Sequence, residues 1–320
     1  MDSPDISIEQ LNILKHDKDK WTKIGGTVLT LLFVVPFVIF VVAIFRLAPL
    51  LSFKNENTSI AWLSGSFGAF MFFFVLFMIA AIVIAIIMFK KRSAYRDAYK
   101  KYFSHRVLSS LLEKYQYNHR AGIASEDLGS TGMVRLGNVY RSEDFVSGRY
   151  RDVGFVQADL TIQDEHTDSD GNTQTTTYFN GRWLVFEFPR RFVSRLAVVG
   201  KGCWQVVYAR RMERFETEST EFNRRFKVYM QDGVEMFYLL DPKMIEIMQA
   251  LSDKYGGKIL FLFADKKLHI GINDNTDSFE PPRHQKGDLD EEEEVRRLAD
   301  EFRTVFELAD KLELHKNIFK

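Results

Sequence analysis

The densest group of reactive side chains lies in "FETESTEFNRRFKV", residues 215–228, which sets Glu216, Glu218, Glu221, Asn223, Arg224 and Arg225 close together. Paired carboxylates do general acid and base work when their surroundings push their pKa values apart. Nothing in this spacing supplies such a separation. Phe222 and Phe226 are four apart, as on one helical face, while Phe226, Val228 and Met230 alternate as in a strand. The charged groups fall between these apolar positions, where solvated side chains belong. The segment therefore reads as framework, with exposed Glu–Arg pairs worth about 0–1 kcal/mol each and Asn223 bonding local backbone at a helix-to-strand switch. A second candidate, "EHTDSDGNT", offers His166, Asp168, Asp170 and Gly171 in an order that imitates the start of a calcium loop. Its first ligand would be His166 and its twelfth Thr177 where a bidentate Glu is required, so a hairpin turn on Asp170-Gly171 is the preferred reading. Cys203 is the single cysteine. It excludes an intrachain disulfide and a multi-thiolate metal site, and its apolar neighbours in "KGCWQVVY" suggest a buried strand thiol rather than a nucleophile.

No P-loop, H-E-x-x-H, G-x-S-x-G, clustered Cys and His, or strand-borne G-x-G-x-x-G is present. No catalytic, metal-binding or cofactor-binding residue is assigned, and no cofactor is expected. Forty-three basic and forty-three acidic residues cancel, so no global field recruits nucleic acid.

The elements that carry these residues begin with two apolar stretches. From Ile24 to Phe45 no residue is charged, and at ~1.5 Å of rise per residue this covers the ~30 Å hydrocarbon core of a bilayer. A second uncharged run extends from about Ile60 to Phe89. Eleven Lys and Arg flank the pair, Lys15 to Lys23 before it and Lys90 to Arg106 after it, against Arg46 and Lys54 in the loop at 46–59. The positive-inside rule then puts both termini in the cytoplasm. No ionisable residue lies inside either run, which argues against a pump or transporter. Ala61, Gly65 and Ala69 recur every four residues and form a bare face for helix packing, read first as contact between the two spans and second as a homo-oligomer seam. Residues 1–23 read as a cytosolic amphipathic segment.

Residues 90–118, which open with "KKRSAYRDAYKKYFSHRVLSSLLEKY", read as a basic juxtamembrane helix with an apolar stripe at Ala98, Tyr102, Leu108, Leu111, Leu112 and Tyr115. Lys90, Lys91, Arg92, Arg96, Lys100 and Lys101 are candidates for contact with anionic lipid headgroups, at about 1 kcal/mol each, although topology alone accounts for such residues. Residues 119–287 read as a cytosolic α+β domain, in which a Gly- and Ser-bearing connection near 121–137 precedes a period-two pattern. "DVGFVQADLTIQD" and "TQTTTYFNGRWLVFEF" read as strands across a hairpin, Asp241 and Pro242 start a helix with Met244, Ile245, Met248 and Leu251 buried, and "KILFLFADKKLHIGI" reads as two further strands. Residues 288–320 are an acidic linker and a helix with Val295, Leu298, Phe302, Val305, Ala309 and Leu312 on one face, read as docking on the domain ahead of self-association. The fold class expected is α+β: an N-terminal two-helix transmembrane hairpin followed by a cytosolic domain with a mainly antiparallel sheet and flanking helices.

With "FNGRWLVFEFPRRF" at 179–192 and "ETESTEFNRRFKVYMQD" leading into "LLDPKMIEIM", the chain resembles the bacterial membrane proteins grouped as domain of unknown function 3137. That family has no established activity, so the resemblance brings no catalytic residues; it implies a bacterial cytoplasmic membrane. The expected function is a membrane-anchored, non-enzymatic interaction or regulatory module, its partners the lipid bilayer and a protein or a second copy. The alternative is an enzyme or small-ligand sensor with a pocket in the cytosolic domain.

Overall fold

The structure is a computed structural model that describes residues 6–47, 56–112, 114–150, 153–187, 191–192, 194–205, 212–231, 239–282 and 287–311. The side chains of 32–33, 35–37, 39–47, 56–70, 73, 304–305, 308–309 and 311 fall outside that description. The chain divides into two compact units, one built mainly from Lys100–Lys286 and Asp290–Lys320, the other from Asp5–Tyr99 with Gly287–Leu289.

The second unit is made of long helices, α1 (Ile8–Leu47) and the greater part of α2 (Glu56–Leu111). They run antiparallel, since Asp17 of α1 pairs with Lys91 of α2 at 2.6 Å while Gly25 meets Met88 and Ile84. A Cβ on Gly25 would lie 2.2 Å from the Met88 sulfur, so the absence of a side chain lets the helices approach. The stripe of Ala61, Gly65 and Ala69 is helical, but its side chains lie outside the described residues. Among the described residues one helical stretch, Phe74–Leu111, is long and apolar enough to cross a membrane, with a mean hydropathy of 2.5 over its most apolar part. Most of the side chains of the first expected span, 24–45, are outside the description.

The first unit holds an antiparallel sheet of β1 (Tyr115–Asn118), β2 (Val139–Tyr150), β3 (Val153–Thr167), β4 (Thr173–Glu187), β5 (Leu196–Gly200), β6 (Glu213–Phe215), β7 (Phe226–Met230), β8 (Ile259–Ala264) and β9 (Lys267–Ile272). Among the described residues the strands lie in the order β1-β2-β3-β4-β9-β8-β5-β7-β6. The period-two patterns decide its two faces. One face turns Leu160, Ile162, Trp183, Val185, Ala197, Val199, Leu260 and Leu262 into an apolar core closed by Leu128, Met133 and Val134 from the α3 region (Ser125–Ser130). The other carries Leu184, Phe186, Phe261, Phe263, Leu268 and Ile270.

The expected α+β class with an antiparallel sheet is what the domain shows. Ser219 caps α4 (Thr220–Arg225) by accepting from the Phe222 N–H, and the helix passes directly into β7. Asp241 caps α5 (Pro242–Lys254) by accepting from the Met244 N–H, with Pro242 in the first turn. The final helix, α6 (Glu291–Lys311), buries Leu298, Phe302 and also Phe306, which stacks on Tyr150 at 4.5 Å between ring centroids, so these positions dock within the domain. Val305, Ala309 and Leu312 lie outside the described side chains. Three expectations are corrected. The domain takes in α2 from Lys100 rather than starting near 119, because Phe103, Val107 and Leu108 are fully buried. The connection at 121–137 contains α3. Cys203 sits in a 3-10 turn, Lys201–Cys203, not in a strand, though it is buried as expected and burial pushes its thiol up to about 12.

Candidate functional site

The sheet face opposite the apolar core carries a patch no period-two rule requires. Strand positions that should present apolar groups there hold Gln157, Asp159 and Arg182, each buried. A β-bulge is the device that completes the patch. The ladder between β2 and β3 shifts register between Glu143 and Val146, and Asp144 adopts a φ of 56°, its N–H donating to the His119 carbonyl. The extra residue redirects the side chain.

Lys100 of α2 meets it there, 1% exposed. Its Nζ donates to Asp144 Oδ2 at 2.5 Å and lies 3.0 Å from Glu280 Oε1, 3.5 Å from Asp277 Oδ1 and 3.7 Å from Glu143 Oε2. The Tyr117 hydroxyl donates to the other Asp144 oxygen at 2.5 Å. On the next strand Asp159 accepts from the Ser278 hydroxyl at 2.8 Å and from the Ser278 N–H. Carboxylate oxygens of Asp144, Asp159 and Asp277 all lie within 4.8 Å of one another.

Burial, then the charges of Asp144 and Asp277, push the Asp159 carboxyl well above its usual range. Burial raises Asp144 and the Lys100 ammonium pulls it back, leaving it at about 6. Asp277 is raised by burial against the same pull. For Lys100 burial opposes the charge, but Asp144, Asp277 and Glu280 outweigh it and hold the pKa above the ordinary value. Burial and the Asp144 charge keep Tyr117 protonated. One ammonium thus faces more carboxylate than it can neutralise, and the remainder is met by proton retention, at Asp159 first. The oxygens span what the ligands of a hard divalent cation span, and Lys100 supplies the positive charge at Asp144 and Asp277. Titratable groups clustered in this way, Lys100, Asp144 and Asp159 buried and Asp277, Glu280 and Glu143 part-exposed, are candidates for function as well as for structure. Beside them, Gln157 Oε1 and Arg182 Nε have no hydrogen-bond partner among the described residues, while Arg182 Nη2 is paired with Asp274 at 2.8 Å. A separate groove of about 440 Å³ runs along the β1 edge, lined by Lys114, Tyr115, Gly148, Arg149, Phe155 and Glu187.

The residues singled out by sequence are placed differently. Lys90, Arg92, Arg96 and Lys101 are exposed and Lys91 is paired with Asp17. Lys100 is removed from the headgroup set, because it is enclosed by carboxylates within the domain. The 215–228 segment is framework: Phe222 and Phe226 are buried with their rings in tilted contact, Asn223 donates to the Thr217 carbonyl at 2.6 Å and accepts from its N–H at 2.9 Å, and Arg225 pairs with Glu221 and Asp253. Asp168 spends its carboxylate on the N–H groups of Asp170 and Asn172, as a turn requires. The Lys100 cluster escaped the sequence reading. Its one signal was the acid and amide at alternate, inward positions of "VQADL" in an otherwise apolar strand.

Residues 177–314 match the model of the family described as Protein of unknown function (DUF3137). The matched segment carries β4 to α6 and contributes Asp277, Ser278 and Glu280 to the cluster, whereas Lys100, Asp144 and Asp159 precede it. No curated protein matches the chain. Among solved structures, the crystal structure of the mycobacterial trehalose monomycolate transport factor A, TtfA, aligns over 67% of this chain and 93% of that chain at 10% identity, with a TM-score of 0.34. That likeness is too slight to carry an argument.

Proposed function

We propose that the protein is a membrane-anchored, non-enzymatic interaction or regulatory module of the bacterial cytoplasmic membrane that presents its α+β domain to a protein partner. One observation carries the anchor. Along α2, Phe72, Val75, Ile79, Ile82, Val83, Ile86 and Phe89 are 49–73% exposed, a continuous apolar surface that water does not tolerate on a monomer. In this reading α1 crosses beside α2, both termini are cytoplasmic, and Lys90, Lys91, Arg92, Arg96 and Lys101 lie at the headgroups. Ala61, Gly65 and Ala69 then face the neighbouring span or another copy. Washing native membranes with alkaline carbonate tests the anchor: the protein stays in the pellet, and release into the supernatant would falsify the reading. Protease applied to the outer face of intact cells leaves the domain whole; its digestion there inverts the topology.

The groove along β1 supports a second reading, a small-ligand sensor or enzyme. A thermal-shift screen of the full chain in lipid nanodiscs against metabolite classes separates the two, since a ligand bound only by the folded state raises its melting temperature. A shift of several degrees with one class favours the second reading.

A further inference from the structure

β3 and β4 are each longer than the sheet they belong to. β2 accompanies β3 only as far as Gln163, and β9 accompanies β4 only from Arg182, so residues 164–177 leave the sheet as a two-stranded arm, exposed from Glu165 to Thr177. Antiparallel ladders alternate bonded and non-bonded pairs. The Asp168 N–H donates to the Asn172 carbonyl, which sets the parity: His166 faces Gln174 and Asp164 faces Thr176 as bonded pairs. Glu165 on one strand and Thr173, Thr175 and Thr177 on the other therefore aim their N–H and C=O groups outward.

The two outer edges are treated differently. Asn138 closes the β3 edge, its Nδ2 donating to the Glu165 carbonyl at 2.7 Å and its Oδ1 accepting the Glu165 N–H at 2.8 Å. Gly137 lies so close to the Gln163 carbonyl that a Cβ would stand 1.9 Å from it. The β4 edge, Thr173-Gln174-Thr175-Thr176-Thr177, has no such cover among the described residues, no charge and no proline, and is built from a strong strand former. Edges exposed in this way pair with further strands unless blocked by charge, proline or a bulge.

We propose that this edge pairs with the same edge of a second copy, the two arms antiparallel about Thr175. Thr175 then faces Thr175 of the second copy and Thr173 faces its Thr177, so every outward group on the edge meets a complementary one, and the interface is isologous. Charge permits it: Glu165 stays on the far strand, the Asp164 carboxylate is already met by the Tyr178 hydroxyl at 2.6 Å and by Arg135 at 3.5 Å, and each acidic turn, with Asp168 and Asp170, comes to the base of the other arm, where the half-exposed Arg135 lies over the Tyr178 ring at 4.3 Å. The pairing holds whether or not α2 crosses a bilayer.

The test uses the full chain in nanodiscs. Thr175→Cys is expected to form a disulfide-linked dimer under mild oxidation, several-fold more than Glu165→Cys on the covered strand, because facing Cα atoms in a bonded pair are ~5.5 Å apart, within disulfide reach. Thr175→Lys, at an exposed position, is expected to convert the wild-type dimer to monomer by native mass measurement. A monomeric wild type, a dimer indifferent to Thr175→Lys, or cross-linking at Thr175 no better than at Glu165 overturns the proposal.

Discussion

The two faces of the sheet are built from the same strands yet are stabilised by different physics. On one, Trp183, Leu262 and their neighbours exclude water, and His269 beside Trp183 is held neutral. On the other, Lys100, Asp144 and Asp159 are enclosed, with Asp277 and Glu280 part-exposed at the rim, and each buried charge depends on the next. The apolar face tolerates a loss locally. The polar face does not, since removing one partner leaves an uncompensated charge out of water, which costs more than the pair contributes.

Substitutions test that contrast directly. Lys100→Met is expected to destabilise the domain by about 3–5 kcal/mol, read by chemical denaturation, and adding Asp144→Asn, which suits the left-handed backbone there, should recover part of the loss. If the double variant is no better than the single, the carboxylates are not what the lysine neutralises. Leu262→Ala on the apolar face should cost about 2–5 kcal/mol, with no recovery from any charge change.

The pH dependence of the faces has opposite sign. Asp144 rises from 3.8 to about 6 on folding, so the folded state binds the extra proton and stability falls as pH climbs through that window. His269 falls from 6.5 to about 4, through burial first and then the Lys267 charge, so stability rises as pH climbs from 4 to 6.5. Each contribution is on the order of 3 kcal/mol. The stability gap between wild type and His269→Gln should therefore widen from pH 4 to 6.5, while the gap to Asp144→Asn narrows. Two flat gaps would remove both assignments. The smallest effect is expected away from both faces: Asn223→Ala breaks the loop bonds to Thr217 and should cost about 1 kcal/mol.

What could be read from residues alone was whatever is local. Asp241 with Pro242, the Asp170-Gly171 hairpin, the switch at Phe226 and the paired strands around Asp265 each announce themselves within a few positions. β1, β2 and β6 did not, because a bulge breaks the alternation of β2 and the edge strands are short and half-exposed. The Lys100 cluster was illegible for a deeper reason. Its members come from α2, two strands and the 277–280 loop, and each alone looks like a solvated charge.

That spread has a consequence for how the chain is made. Lys100 lies 44 residues before Asp144 and 177 before Asp277, and Asp159 waits 119 residues for Ser278. Contacts of such high sequence separation close late and slow folding. On the ribosome Lys100 and Tyr117 are therefore already made when Asp144 emerges, whereas Asp159 lacks its Ser278 donors, and native assembly is deferred until that segment has been synthesised.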